Sequence, residues 1–222
     1  MAAAGGCGGG LRWCLEVVVD DSKLYIFLEL VSKGSLVKLY RKYDLQDSQV
    51  SAYTRQILSG FNYLHERKVV HRDIRCANIL VDASGQGGSV KLSDFGLAKD
   101  ITMNDAKSFQ GSPHWMAPEV IRTNYGLAAD IWSLGCTVLE MLTRRIPYYP
   151  LDEMQALVKI AMGIPPEIPN TLSAKAQDFV HKCLQANPND RPTTAQLLDH
   201  PFINTRTFLT VYSRKKHRVE PT

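Results

Sequence analysis

The sequence lacks a strong excess of charge of either sign, and its longest apolar stretch is interrupted. It has 26 lysines and arginines against 22 aspartates and glutamates, for a net charge of +4. So mild a surplus does not provide the dense cationic face that nucleic-acid binding usually requires. The apolar stretch over residues 127–142 contains Asp130 and Glu140, which favours a buried core helix over a membrane span. We therefore expect neither a nucleic acid nor a membrane as a partner.

Cysteines are also few, and they form no pattern typical of a metal site or a disulfide framework. Their number is odd, they are widely spaced, and no C-x-x-C pair occurs. This pattern favours free, mostly buried thiols in a reducing compartment, so we expect a cytoplasmic protein. The five cysteines are Cys7, Cys14, Cys76, Cys136 and Cys183.

The first residues of the chain do not resemble a signal peptide or a myristoylation site. The first ten residues, MAAAGGCGGG, have no charged region followed by an apolar one, and Ala2 stands where myristoylation needs glycine. We interpret residues 1–12 as a disordered low-complexity leader. Residues 204–222 include SRKKHR and are interpreted as an exposed basic tail; nucleic-acid binding by this run is a remote alternative.

Apolar periodicity predicts a little β structure followed by many helices, an α+β fold. β-branched and aromatic residues over 13–19 and 24–30 predict a hairpin. The apolar stripe that follows predicts a long helix capped near Asp47. Its members are Val50, Tyr53, Ile57, Phe61 and Leu64. Short strands are expected at 79–81 and 90–92, and further helices at 129–142, 152–161, 173–185 and 194–199.

Three short motifs carry residues suited to phosphoryl transfer. HRDIRCAN places Asp73 and Asn78 in a loop after the long helix, DFG begins at Asp94, and GSPHWMAPE ends in Glu119. Transfer from ATP needs a carboxylate beside the acceptor hydroxyl, metal ligands and cations on the phosphate. Taken singly, these residues would more often be turn or capping residues. Their order and spacing match the kinase catalytic motifs.

Residues about 24–203 resemble a eukaryotic protein kinase, and specifically the plant MAP kinase kinase kinases of the MEKK type. The resemblance implies a remnant of the small lobe and hinge at 13–31 and a mainly helical C-terminal lobe at 32–203. It also implies ATP, Mg²⁺ and a protein substrate that is a MAP kinase kinase, with a scaffold or second kinase as a further partner. The segments that carry it are LYIFLELVSKGSL, HRDIRCANILVD, KLSDFGLAK, GSPHWMAPEV, ADIWSLGCTVLEM and NDRPT.

The resemblance assigns roles in the chemistry and in nucleotide binding. Asp73 would be the catalytic base, Asn78 and Asp94 the magnesium ligands, and Arg75 the residue at the position of the γ-phosphate lysine. Ser112 would direct its hydroxyl toward Asp73. The adenine pocket would use the gatekeeper Leu28, the Glu29 carbonyl, the Val31 amide and the floor residue Leu80.

The resemblance also assigns supporting and regulatory roles. Asp130 would hold the catalytic-loop backbone, and Glu119 would pair with Arg191. Arg72 would be an unpaired cation unless a phosphate docks on it, which makes Ser108, and then Thr102, the expected phosphorylation sites.

The sequence departs from the kinase pattern in two respects. It contains no G-x-G-x-x-G loop, since no frame of GGCGGG satisfies that spacing, and Lys23 comes too late to be the ATP-anchoring lysine. We therefore expect weak or no activity of this chain alone, with a non-catalytic interaction module as the alternative. Arg75 replaces the usual lysine, as in some tyrosine kinases, but Ser112 favours serine/threonine specificity.

Overall fold

A computed structural model describes residues 11, 14–20, 23–82, 88–102, 111–122 and 126–204. The basic run SRKKHR, Ser108 and most of the predicted leader lie outside these residues.

The N-terminal part is a two-stranded antiparallel hairpin, as predicted. Strand β1 spans Cys14–Asp20 and β2 spans Lys23–Leu28, with Val17 opposite Ile26. Many of its apolar side chains are exposed: Val19 is 72% exposed and Phe27 is 51% exposed. The hairpin therefore contributes little to the core.

Two helices follow, of which only the second was predicted. Helix α1 spans Leu36–Lys42 and α2 spans Asp47–Glu66. The apolar stripe predicted for α2 is buried along its whole length. The helix is capped near Asp47, as predicted: the N-cap is Gln46, and the side chains of Gln46 and Gln49 each accept the backbone N–H of the other residue. This reciprocal arrangement is a capping box.

Two small strand pairs bracket the loop that carries the first motif. Strand β3, Val69–Val70, pairs with β6, Lys99–Asp100. Strand β4, Ile79–Asp82, pairs with β5, Ser89–Leu92, as predicted. Because both pairs are antiparallel and short, they hold residues 71–78 and 93–98 beside each other.

Within the part of the chain that the structure describes, five helices complete the lobe, and the four longer ones match the predicted segments. They are α3 at Pro118–Ile121, α4 at Ala128–Thr143, α5 at Glu153–Ala161, α6 at Ala174–Cys183 and α7 at Thr194–Leu198. Every residue from Ala129 to Met141 is buried, so α4 is a core helix. No helix within the described ranges is long and apolar enough to cross a membrane.

The interior is tightly packed where α4 meets α6. A Cβ added to Gly135 would lie 2.7 Å from the Cβ of Cys183, so glycine permits the close approach of the two helices. Cys76, Cys136 and Cys183 are free and buried, as predicted for thiols. Burial raises the pKa of the Cys183 thiol, which keeps it protonated and unreactive.

Candidate active site

Asp130 organises the backbone at the start of the catalytic loop, which we define as residues 71–78. It lies fully buried in the first turn of α4. Its carboxylate accepts the backbone N–H groups of His71 at 2.9 Å and Arg72 at 3.0 Å, and contacts His65 Nε2 at 3.0 Å. Arg72 has a positive φ of 73°, a conformation that costs energy for a residue with a Cβ. The two N–H bonds to one carboxylate hold that conformation.

His71 joins the catalytic loop to the DFG motif. Its Nδ1 accepts the backbone N–H of Asp73 at 3.4 Å, and its Nε2 lies 3.2 Å from the carbonyl oxygen of Ser93. Burial lowers its pKa, against the opposing effect of Asp130 and Asp73. A neutral ring with the proton on Nε2 satisfies both contacts. The ring also packs on Phe95, with centroids 4.8 Å apart.

Asp73 is held by two side chains from different segments. Ser112 Oγ donates to Asp73 Oδ1 at 2.7 Å, and Asn78 Nδ2 donates to Oδ2 at 2.6 Å. Asn78 Nδ2 also donates to the Asp73 carbonyl at 2.9 Å. The structure thus brings together three predicted site residues. An oriented carboxylate already bonded to a hydroxyl is suited to accept a proton from another hydroxyl.

Arg75 lies beside this carboxylate without a close ion pair. Its Nε is 3.7 Å from Asp73 Oδ1 and has no hydrogen-bond partner among the described residues. Its side chain is 35% exposed. A partly exposed guanidinium in this place can receive an anion.

Asn78 and Asp94 offer two oxygen donors at adjacent strand ends. The carbonyl of Asn78 accepts the Ser93 N–H at 3.0 Å and the Ser93 hydroxyl at 2.8 Å, and Asp94 follows directly. Asp94 is exposed and adopts a left-handed conformation with φ of 64°. Because Asn78 Nδ2 donates hydrogen bonds to Asp73, the Oδ1 atom of Asn78 is the one that can ligate a cation. One carboxylate plus one amide oxygen fits a magnesium ion that also binds phosphates.

The predicted adenine-binding segment lies next to β4. The Lys33 N–H donates to the Val81 carbonyl at 3.2 Å, the Val81 N–H donates to the Gly34 carbonyl at 2.7 Å, and Ser35 forms a bridge with Leu80. The chain just after Val31 therefore runs beside the strand that carries Leu80. On the other side, Glu29 forms an ion pair with Lys91 of β5. Leu28 is 43% exposed.

Of the two predicted phosphorylation sites, the structure describes only Thr102. Thr102 is exposed, and its backbone N–H and hydroxyl bond to Asp100 Oδ1 at 2.8 and 2.6 Å; the hydroxyl bond is the largest cause of the lowered pKa of Asp100. Ser108 lies outside the described residues. The expectation that Arg72 is an unpaired cation is wrong, because its Nε donates to the backbone carbonyl of Leu97.

The expected ion pair between Glu119 and Arg191 is present and bidentate. Arg191 Nη1 and Nη2 lie 2.6 and 2.8 Å from the two carboxylate oxygens. The guanidinium also donates to the carbonyls of Ala128 and Gln185. The arginine side chain is fully buried, so this pair fixes the segment that follows Ser112 against the helical core.

Two further residues of the site were not assigned roles from the sequence. His65 contacts Asp130, and Glu140 contacts both the catalytic loop and Trp115. His65 continues the buried stripe of α2, since it stacks on Phe61 and its side chain is only 9% exposed, so the sequence does not distinguish it from a core residue. Glu140 does, because a carboxylate inside the apolar stretch 127–142 has to find buried donors.

Comparison with known proteins agrees with this geometry. Residues 13–203 match the protein kinase domain. The chain belongs to the protein kinase domain family.

Its resemblance to plant MAP kinase kinase kinases is also confirmed. It is 61% identical over 188 residues to Mitogen-activated protein kinase kinase kinase 1 of Arabidopsis thaliana, covering 83% of this chain and 30% of that protein. Mitogen-activated protein kinase kinase kinase 9 of the same plant is 56% identical over 188 residues, which cover 83% of this chain and 24% of that protein. Mitogen-activated protein kinase kinase kinase 1b of Physcomitrium patens is 56% identical over 187 residues, which cover 83% of this chain and 24% of that protein. The chain thus spans less than a third of the length of these relatives.

Proposed function

We propose that this chain carries the catalytic and acceptor-binding part of a cytoplasmic serine/threonine kinase that transfers the γ-phosphate of ATP to a MAP kinase kinase. The observation that carries the proposal is Asp73, oriented by Asn78 and bonded to the Ser112 hydroxyl at 2.7 Å. A carboxylate fixed on both oxygens is preorganised for proton transfer. The names and identity of the relatives support the substrate class.

In this proposal Asp73 orients the acceptor hydroxyl and takes its proton. Asn78 Nδ2 holds the base in place. Asn78 Oδ1 and Asp94 would hold magnesium, which would neutralise phosphate charge on bound ATP. Arg75 contacts the transferred phosphate, and Ser112 keeps Asp73 aligned until the substrate hydroxyl arrives.

Adenine would lie between the segment that follows β2 and the strand β4. Leu28 borders the pocket, Leu80 forms its floor, and the Glu29 carbonyl and Val31 amide bond to the base. The backbone hydrogen bonds between residues 33–35 and β4 support this placement, because they hold the two sides of the proposed pocket next to each other.

The test is transfer of radiolabelled phosphate from ATP to a kinase-dead MAP kinase kinase. The printed 222 residues contain no glycine-rich loop or anchoring lysine, so this chain alone should show trace transfer. Joined to a complete small lobe, it should become active, and Asp73→Asn, Asn78→Ala and Asp94→Ala should each reduce kcat by about a hundredfold or more. Activity in the joined protein that survives Asp73→Asn would contradict the proposed base.

We further propose that phosphorylation of Ser108 activates the kinase, with Thr102 second. Arg72 does not support this as an unpaired cation, so the proposal rests on the resemblance and on the position of Ser108 between Asp94 and Glu119. Asp100 already accepts both bonds from Thr102, and this negative charge makes Thr102 the poorer phosphate site. In the joined protein, Ser108→Ala should lower activity more than Thr102→Ala.

A second candidate is a non-catalytic module that binds a scaffold or a kinase partner. The observation in its favour is an apolar stripe along α5 and its C-cap, where Met154, Val158 and Met162 are 70%, 53% and 70% exposed at four-residue spacing. If binding is the function, the double change Asp73→Asn with Asp94→Ala should leave partner capture intact, whereas Val158→Asp should abolish it.

A further inference from the structure

Glu140 is a carboxylate buried in the centre of the helical lobe. It lies near the C-terminal end of α4, and only 2% of the residue is exposed. Burial raises its pKa, and hydrogen bonds from Cys76, Tyr40 and Trp115 oppose this effect. A carboxylate in such a place is tolerated only when donors surround it.

The donors come from three segments that are far apart in the chain. Tyr40 of α1 donates its hydroxyl to Glu140 Oε1 at 2.9 Å. The other oxygen, Oε2, accepts both the backbone N–H of Cys76 at 3.3 Å and the indole N–H of Trp115 at 3.2 Å. One oxygen atom therefore joins the catalytic loop to the segment that follows Ser112.

The positions of these two donors match the contact between Ser112 and Asp73. Cys76 is three residues after Asp73, and Trp115 is three residues after Ser112. Ser112 and Asp73 are themselves joined at 2.7 Å. The two segments are thus joined directly through Ser112 and Asp73, and again through the single atom Glu140 Oε2. Ser133 and Thr137 of α4 also bond to the Trp115 and Ile74 carbonyls, but each of them holds only one of the two segments. An acceptor that both segments share fixes the positions of their two donors relative to each other.

We propose that Glu140 is a positioning residue that aligns Ser112 with Asp73 by holding Trp115 and Cys76 on one oxygen. Its contribution to catalysis rests on the proposed function. The alignment does not, because it concerns contacts within the chain and can be measured without any phosphate transfer.

The test compares Glu140→Gln with Glu140→Leu in the 222-residue chain. Glutamine keeps one carbonyl oxygen for Cys76 and Trp115, and its amide group can donate to the Tyr40 hydroxyl, which is able to accept. Leucine fills a similar space with apolar atoms and leaves all three donors without an acceptor. The matched control is Met141→Leu, a volume-conserving change at the next buried residue of α4.

Two NMR measurements test the hydrogen bonds to Glu140 and the alignment of Ser112 with Asp73. Hydrogen exchange at the Trp115 indole and the Cys76 amide should become about tenfold faster or more in Glu140→Leu and change by less than about threefold in Glu140→Gln. The ¹³C resonance of the Asp73 carboxyl should move in Glu140→Leu, as it does in Ser112→Ala, and stay in place in Glu140→Gln and Met141→Leu. Unchanged exchange and an unchanged Asp73 resonance in Glu140→Leu would overturn the inference, as would equal effects of glutamine and leucine.

A second variant keeps the inference testable if Glu140→Leu does not fold. Trp115→Phe removes one donor and leaves the Cys76 bond, so the Cys76 amide should stay protected while the Asp73 resonance moves. An Asp73 resonance that does not respond to Trp115→Phe would show that Glu140 does not align the two segments. Neither result depends on whether the chain transfers phosphate, which the Asp73→Asn assay decides separately.

Discussion

Helix α4 and the hairpin β1–β2 are both rich in apolar residues, yet they bury them to very different degrees. Every residue from Ala129 to Met141 is buried, whereas Val17, Ile26 and Phe27 are each more than half exposed. Among the described residues, the helix packs on α2 and α6, while the two strands contact mainly each other. Apolar composition therefore predicts a core only where another surface is available to cover it.

The largest difference should appear when the same side chain is removed from the helical core and from the hairpin. Phe61 of α2 is fully buried, and Phe27 is 51% exposed on the hairpin. Phe61→Ala should lower the free energy of unfolding by about 3–5 kcal/mol. Phe27→Ala, the matched control, should change it by less than about 0.5 kcal/mol. Urea denaturation measures both, and similar losses would refute the comparison.

An added methyl group should separate a packed glycine from an open one. At Gly135 the new Cβ would lie 2.7 Å from Cys183 Cβ and 3.0 Å from Leu184 Cδ2, whereas at Gly126 nothing lies within 4 Å. Gly135→Ala should therefore destabilise the protein by about 1–3 kcal/mol. Gly126→Ala serves as the control and should be close to neutral. A stable Gly135→Ala variant with an unchanged melting temperature would show that α4 and α6 have room to separate.

A smaller effect is expected at the surface of α6, and it should depend on pH. The hydrogen bond from Lys182 is the main cause of the lowered pKa of Asp178, and His200 lowers it further. Because the folded pKa lies below the ordinary value of 3.8, the stabilisation is present above that value and is lost as the pH falls through the folded pKa.

The corresponding variant is Asp178→Asn. Since the Asp178 side chain is 50% exposed, its loss should cost less than about 1 kcal/mol near neutral pH. The difference in free energy of unfolding between the two proteins should shrink as the pH falls from about 5 to about 3. A difference that stays constant over this range would assign the effect to something other than the charge of Asp178.

The smallest effect on stability should come from polar substitution in the hairpin. Phe27→Ser should leave the free energy of unfolding within about 0.5 kcal/mol of the parent value. It should instead reduce self-association, because exposed apolar patches promote contacts between molecules. Sedimentation velocity measures this, with Tyr63→Ser, another exposed aromatic residue outside the hairpin, as the control. Equal effects of the two changes would show that the hairpin is not a special surface.

Much of the fold could be predicted because its elements have strong local patterns. Helix α2 has five apolar residues at helical spacing, and β4 and β5 are short apolar runs next to turn residues. Helix α1, helix α3 and the pair β3–β6, which have two to seven residues each, were not predicted. Their positions are decided by tertiary packing.

The candidate site follows the same division. Asp73 and Asn78 come together as their motif indicates, because the spacing of residues within one loop is a local property. The contact of Ser112 with Asp73 joins residues 39 positions apart, and it was expected only from the resemblance to kinases. The contact of Arg72 with the Leu97 carbonyl and the convergence of Tyr40, Cys76 and Trp115 on Glu140 are not visible in the sequence. They join residues between 25 and 100 positions apart, and only the folded chain brings these residues together.

The attachment of the hairpin has a mechanical consequence. Beyond β2, the chain is fastened to the lobe at Lys33, Gly34 and Ser35, all of which contact Val81 or Leu80 on β4. The Glu29–Lys91 ion pair adds a second fastening on β5. A force applied to the hairpin is therefore transmitted first to the strand pair β4–β5, whose two ends continue into Asn78 and Asp94. Strands β4 and β5 are themselves packed on α1 and α2, so the hairpin is coupled through them both to the two oxygen donors and to the helical lobe.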